Sequence, residues 1–209
     1  MRNKIFIICF LLFSLTYSCT TNDDTTVILL GEELYIQELT EVIPDSLINV
    51  FEEHFGIIPA GYIPPKVEGE FVISPKHRVF SNIPESEWPL DIVEPNINMI
   101  LSKQHNRECI LQLSEGNATL TDTVYITGVD NSFAVYYTEE KVLQHSGYEH
   151  QITRNVIFKG EVTESGIEDL NIASIIVDVK DNSNGNMIQY KKGDFFLYKD
   201  GDGISEKIN

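Results

Sequence analysis

The chain has 209 residues, 42% of them hydrophobic, and its 15 Lys and Arg stand against 32 Asp and Glu, which gives a net charge of −17. This length and an average apolar content suit one globular domain, or one domain with a small N-terminal element. The negative charge repels phosphate backbones and anionic lipid headgroups, so we expect no nucleic-acid partner and no membrane contact through charge.

The N-terminus has the order of a secretory signal. Two basic residues precede the apolar run 5–15, and the small residue Ser18 stands directly before Cys19. The run is shorter than the roughly 20 residues that a membrane-spanning helix needs. We therefore predict that residues 1–18 are a signal peptide, which is removed from the mature protein.

Cys19 predicts a lipid anchor. With Leu15 upstream, the junction resembles the lipobox of bacterial lipoproteins, in which the cysteine sulfur takes a diacylglycerol. Asp23 and Asp24 follow, as in the acidic tag of Bacteroidetes lipoproteins sent to the cell surface. We expect an outer-membrane protein held by lipid on Cys19, with residues 19–30 as its tether and exposure at the cell surface favoured. The alternative is an ordinary cleaved signal with an incidental cysteine.

One helix is predicted at 44–55, in "PDSLINVFEEHF". Asp45 or Ser46 can cap its first amides, and Gly56 stands where a left-handed C-cap belongs. Three apolar residues recur at every fourth position and form one face. These residues are Leu47, Phe51 and Phe55. The earlier segment "EELYIQELTEV" is either a second helix or a loop.

The rest of the chain predicts strands. Apolar residues alternate with polar ones, and Gly, Asn, Asp and Pro separate the segments, which gives about nine strands joined by short loops. The segments are "EGEFVI", "KHRVF", "INMILSK", "ECILQLS", "NATLTDTVYITG", "SFAVYYTEE", "ITRNVIFKGEV", "LNIASIIVDV" and "GDFFLYKD". A meander of so many antiparallel strands must close or fold over to hide its edges. The predicted fold is mainly β, a single antiparallel barrel, with a two-sheet β-sandwich as the alternative.

Four stretches carry a resemblance to a known group of proteins: "GIIPAGYIPPKVEGEFVIS", "VYITGVDNSFAVYYT", "IFKGEV" and "FFLYKDGDGIS". With the helix before them, they resemble surface lipoproteins of gut Bacteroidetes that carry a calycin-like, lipocalin-related barrel. The resemblance implies one barrel domain over residues 31–209 that includes the helix 44–55. The resemblance implies no particular activity.

No nucleophile elbow, zinc-protease helix, phosphate-binding glycine loop or Cys-x-x-Cys pair occurs in the sequence. We therefore expect no enzyme, no cofactor and no metal site, and we interpret adjacent acids such as Glu139 and Glu140 as solvated faces. Cys109, within the alternation of "ECILQL", is predicted to be a buried, inert thiol. Asp200 and Asp202 in "KDGDGISE" either end the last strand or form a calcium turn.

Trp88 is the best candidate for a ligand contact. It lies in a loop-like segment between Glu87 and Pro89, and its flat ring with an N–H group suits stacking on a sugar or a peptide side chain. The alternative is that it plugs the end of the barrel. We expect a non-enzymatic binding module for a small apolar or glycan-like ligand, or else a structural or interaction lipoprotein with an envelope-protein partner. Space for a ligand inside the barrel favours the binding module, and an interior filled by side chains favours the interaction lipoprotein.

Substitution of Cys19→Ala should release the protein from the outer membrane, since alanine offers no sulfur for lipid attachment. Membrane fractionation and incorporation of labelled palmitate measure the change. A variant that still takes up palmitate and partitions with membranes would contradict the predicted anchor, and protease accessibility in intact cells tests surface exposure separately.

Overall fold

The computed structural model describes residues 45–84, 89–145, 148–181 and 190–208, with side chains for all of these except 45–47, 143–145, 148–150 and 181. All of them belong to one of the two compact units into which the chain divides, Gln37–Asn209. The helix is α1 (Asp45–Phe55). The strands are β1 (Gly69–Ile73), β2 (Lys76–Ser81), β3 (Val93–Glu94), β4 (Ile97–His105), β5 (Glu108–Glu115), β6 (Ala118–Val129), β7 (Ser132–His145), β8 (Tyr148–Val162), β9 (Gly166–Asp181), β10 (Phe195–Asp200) and β11 (Ile204–Ile208).

The mainly β prediction is confirmed. Each of the nine predicted segments lies on its own strand, and the two strands not predicted are β3 and β11. The first has only two residues, too few to show a period, and the second, "ISEKI", is mostly polar. Both are recognisable only from their partners in the sheet.

The strands form one antiparallel sheet with a ring-like closure. Their order is β11-β1-β4-β5-β6-β7-β8-β9, and β11 also pairs with β9, which returns the series to its start. The later part of β9 pairs with β10, which continues to β2 and β3. The sequence predicted a single closed sheet, with a two-sheet sandwich as the alternative. The described strands form one sheet and not two.

The inner face of the ring is apolar over much of its length. Eighteen buried residues form one core cluster, to which all the long strands contribute. The largest of its fully buried side chains are Phe71, Phe133, Phe158, Ile73, Met99, Leu101, Leu111 and Ile126. This cluster fills the space between the strands at one end, where Gln104 also fixes the incoming chain by accepting from the Val67 amide at 2.8 Å and donating to the Pro65 carbonyl at 2.7 Å.

The predicted helix is confirmed as α1, together with its C-cap. Gly56 adopts φ +71°, and its amide donates to the Glu52 carbonyl at 2.8 Å. Phe51 is fully buried, and the His54 ring lies 4.4 Å from the ring of Phe80 on β2. These contacts hold α1 against the outer face of the sheet. Among the described residues, no helix has the length and apolar character needed to cross a bilayer.

Cys109 is buried, as predicted, with 2% of its surface exposed. Burial raises the pKa of its thiol to about 11, and the nearby charge of Glu68 adds to the shift. A thiol with a raised pKa carries little thiolate near neutral pH, so it is a poor nucleophile. Cys109 therefore acts as a small apolar residue of the core.

Replacing Phe51 by alanine should lower the free energy of unfolding by about 3–5 kcal/mol, because it empties a fully buried site between helix and sheet. Glu53→Ala, at an exposed position of the same helix, is the matched control and should change stability by less than about 0.5 kcal/mol. Chemical denaturation measures both. Similar losses for the two variants would show that α1 does not pack as described.

Candidate functional site

Near one end of the ring, the inner face changes from apolar to polar. On β7 the inward positions are Tyr137, Glu139 and Lys141, and on β8 Arg154 follows the same rule of alternation. The side chains there enclose a cavity of about 180 Å³. The interior of the ring is thus filled by apolar side chains at one end and has space for a small ligand at the other.

The cavity is small. Its 180 Å³ equals about the liquid volume of six water molecules, whereas pockets for drug-sized ligands measure roughly 300–1,000 Å³. A compact molecule fits, and a steroid or a long-chain lipid does not. The lining residues are Lys76, Arg78, Glu94, Ile97, Leu113, Glu115, Ala118, Thr119, Leu120, Tyr137, Glu139, Lys141, Arg154, Val156, Phe158, Ile172, Ser174, Tyr190, Phe196 and Tyr198.

A buried network of ion pairs forms one wall. Lys76 and Arg78 on β2 are 5% and 3% exposed, and both bind Glu94 on β3, the former at 3.3 Å between Nζ and Oε2. Lys76 also donates to Glu115 at the end of β5. The ring of Tyr198 lies below both cations, 4.9 Å from the Lys76 ammonium. Together these contacts fix the positions of two cations that are almost wholly buried.

A second ion pair lies across the cavity. Arg154 on β8 is the cross-strand partner of Glu139 on β7, and its Nε donates to Oε2 at 2.6 Å. Burial by itself lowers the pKa of Arg154, but the Glu139 carboxylate, with the phenol of Tyr137, outweighs it and raises the pKa. The guanidinium therefore stays charged.

The lining carries a net positive charge in a strongly negative chain. Its cations are Lys76, Arg78, Lys141 and Arg154, and its carboxylates are Glu94, Glu115 and Glu139. The balance is +1, against −17 for the whole sequence. Among the described residues, no carboxylate pairs with Lys141, so this ammonium accounts for the excess.

Ser174 on β9 is the unusual polar group of the cavity. It is 3% exposed, and no described residue hydrogen-bonds its Oγ. Its neighbours in the sheet are Val156 on β8 and Phe196 on β10, so the hydroxyl has apolar residues on both sides. A buried hydroxyl without a hydrogen-bond partner costs about 1–3 kcal/mol. A ligand bound in the cavity would supply that partner.

The floor of the cavity is aromatic and aliphatic. Tyr137 stacks on Phe158 with ring centroids 6.2 Å apart, and Val156 and Ile172 lie on the same face. Burial raises the pKa of Tyr137 and of Tyr198 far above the usual phenol value, so both hydroxyls keep their protons. The cavity therefore combines an apolar floor with hydrogen-bond donors.

The two site residues predicted from the sequence, Cys19 and Trp88, lie outside the described residues. The residues that sequence reasoning missed are the buried ones of the network, above all Lys76, Arg78 and Arg154. In "KHRVF" the sequence alone favours the face of Val79 as the buried one, which would leave the charges in solvent. The available signal was that Lys76 and Arg78 stand at alternate positions, which places both charges on one face of the strand.

The interpretation of Glu139 and Glu140 as a solvated face is wrong for Glu139, whose side chain is 15% exposed and pairs with Arg154 inside the ring. Glu139 faces the cavity, whereas Glu140 accepts a hydrogen bond from Gln151 on the exposed side at 3.1 Å. Asp202 accepts from the Ile204 amide at 3.2 Å, and Asp200 accepts from the Ser205 hydroxyl at 2.6 Å. Within the described parts of the chain, no three His, Cys, Asp or Glu are placed to hold a metal ion.

Substitution of Lys76→Met should destabilise the fold by about 3 kcal/mol, since it leaves the part-buried carboxylate of Glu115 without this cation and Glu94 with Arg78 alone. Lys66→Met removes the exposed Lys66–Glu68 pair, with the Lys66 side chain 77% exposed, and should cost no more than about 1 kcal/mol. Chemical denaturation of both variants measures the difference. Equal effects would mean that the network around Lys76 is solvated.

No protein-family model, no curated protein and no solved structure matches the chain. The functional assignment therefore rests on the cavity and its side chains.

Proposed function

We propose that the protein is a cell-envelope lipoprotein, anchored at the outer membrane through Cys19, whose 31–209 domain is a non-enzymatic binding module for a small ligand. The observation that carries this proposal is the interior cavity of about 180 Å³, in whose wall the Ser174 hydroxyl has no hydrogen-bond partner among the described residues. A cavity lined by fixed polar groups over an apolar floor is the usual form of a small-molecule site.

The domain is a calycin-like barrel in this proposal. The ring-like closure of the antiparallel sheet supports it, because a barrel of about eight strands leaves space inside for side chains or for one small ligand. Eight strands make up the ring here, from β11 through β1 and β4–β9. The apolar core occupies part of that space, and the ligand takes the remainder.

The ligand is amphipathic. Tyr137, Phe158 and Ile172 offer an apolar surface, and the cations and hydroxyls above them offer hydrogen bonds. Of the two ligand types expected from the sequence, a purely apolar molecule would leave the polar wall without partners, which costs affinity. A compact molecule with one polar end satisfies both surfaces.

An interaction role is the second candidate, and one observation favours it. Ile57, Tyr62 and Ile63, in the segment between α1 and β1, are 78%, 68% and 83% exposed. The Arg107 guanidinium lies 5.4 Å from the Tyr62 ring centroid. Exposed apolar residues close together in sequence are typical of protein contact surfaces, so an envelope-protein partner would dock there and not in the cavity.

Thermal unfolding of the full chain in detergent tests the binding function. We expect the melting temperature to rise with at least one compact ligand from a panel of monosaccharides, short-chain acids and amides, and aromatic acids and amides, because binding to the native state alone stabilises it. A bile acid serves as an oversized control and should produce no shift.

Two tryptophan variants locate the site. Ala118 is exposed and lines the cavity, so Ala118→Trp should abolish the shift, whereas Thr121→Trp, exposed on the same strand and outside the lining, should leave it unchanged. No shift with any ligand, together with capture of an envelope protein that is lost in Tyr62→Ala, would favour the interaction role.

A further inference from the structure

We propose that the cavity selects a compact monocarboxylate, held through Arg154, Lys141 and Ser174. This inference deepens the binding function above and rests on it. It names the charge of the ligand and the three side chains that recognise it. Nothing in the sequence pattern indicates this preference, since the chain as a whole is strongly acidic.

The three donors stand in a diagonal row across three consecutive strands. Lys141 on β7 is the register partner of Ile152, two residues before Arg154 on β8. Ser174 on β9 is the partner of Val156, two residues after Arg154. Diagonal neighbours of an antiparallel pair lie about 7–8 Å apart at the backbone. Arg154 stands in the middle of the row, and the long side chains of Lys141 and Arg154 can reach along it toward Ser174 across the cavity that all three line.

Arg154 has N–H groups that its ion pair with Glu139 does not use. A guanidinium carries five N–H groups, and the Nε–H is the one that binds Glu139. No described residue accepts a hydrogen bond from its Nη groups. The two parallel N–H bonds of a guanidinium edge match the two oxygens of a carboxylate, which neither an amide nor a sugar hydroxyl reproduces.

Lys141 supplies the charge for an anion. Each of the other three cations of the lining has a carboxylate partner, and Lys141 pairs with none among the described residues. A ligand with a single negative charge brings the lining from +1 to neutrality. A dianion such as a phosphate ester would leave the occupied cavity with a net negative charge, and Glu94, Glu115 and Glu139 would repel it.

Ser174 provides the third contact. Its Oγ is buried and has no partner among the described residues, and a hydroxyl donates readily to a carboxylate oxygen. Below it, Phe158 and Ile172 lie further into the ring on the same face. A ligand with its carboxylate at the diagonal row therefore places its apolar end on this floor.

Matched pairs of acids and amides test the proposal, because each pair shares its shape and differs in charge. We choose butyrate with butyramide and benzoate with benzamide, and titrate them by calorimetry into the full chain in detergent. The acids should bind at least about tenfold more tightly than their amides, which is the size expected for charge-assisted hydrogen bonds. High salt should weaken the acids alone.

Four variants assign the contacts. Arg154→Gln and Lys141→Gln should each weaken the acids by about tenfold and leave the amides unchanged, and Ser174→Ala should weaken the acids several-fold. Lys141→Gln carries the test if Arg154→Gln fails to fold without its Glu139 pair. Lys199→Gln is the matched control, since Lys199 is exposed and lies outside the lining, so its replacement should change the affinity for neither ligand.

The outcomes separate the two proposals. Amides or neutral sugars that bind as tightly as the acids, with no loss in Lys141→Gln or Arg154→Gln, would overturn the carboxylate proposal and leave the binding function standing. A cavity that takes no member of either pair and no other compact ligand would overturn both. Acid binding that survives Ala118→Trp would place the carboxylate elsewhere on the protein and would also overturn the inference.

Discussion

The fold depends on β9, because two different strands share one of its edges. Its first residues pair with β11 and its later residues pair with β10, while β8 runs along the other edge. The chains come so close at this point that a Cβ on Gly166 would lie 2.2 Å from the Ser205 carbonyl oxygen. The hydrogen bonds between β9 and β11 close the ring, and they require a residue without a side chain at the junction.

The branch that leaves β9 through β10 gives the interior its polar wall. β2 and β3 follow β10 in the sheet, and they carry Lys76, Arg78 and Glu94 to the cavity. Burying charges costs free energy that their mutual attraction often fails to recover. The apolar core at the other end of the ring offsets that cost through the area it removes from water. Under the proposed binding function, recognition of a ligand accounts for charged groups kept in the cavity at this cost.

Much of the architecture follows from the sequence by itself. A strand turns successive side chains to opposite faces, which is a local property, so period two predicted nine of the strands. From β4 to β9, short loops fixed the antiparallel pairing with chain neighbours, whereas β1 and β2 are joined by a short loop and do not pair with each other. The spacing of apolar residues with Gly56 predicted α1 and its end. Alternation also turns Tyr136 and Tyr137 to opposite faces of β7: Tyr137 lines the cavity, and Tyr136 stacks on Tyr125 outside the lining.

Only the tertiary structure decided what the inner face contains. In "KHRVF" both faces of the strand offer a reasonable inside, and the choice depends on Glu94 and Glu115, which lie 16 and 39 residues further along the chain from Arg78 and Lys76. The cavity likewise needs Lys141, Arg154 and Ser174 from three consecutive strands. The sequence determined the strands because their pattern is local, and closure of the sheet determined the site because a cavity exists only where distant strands meet.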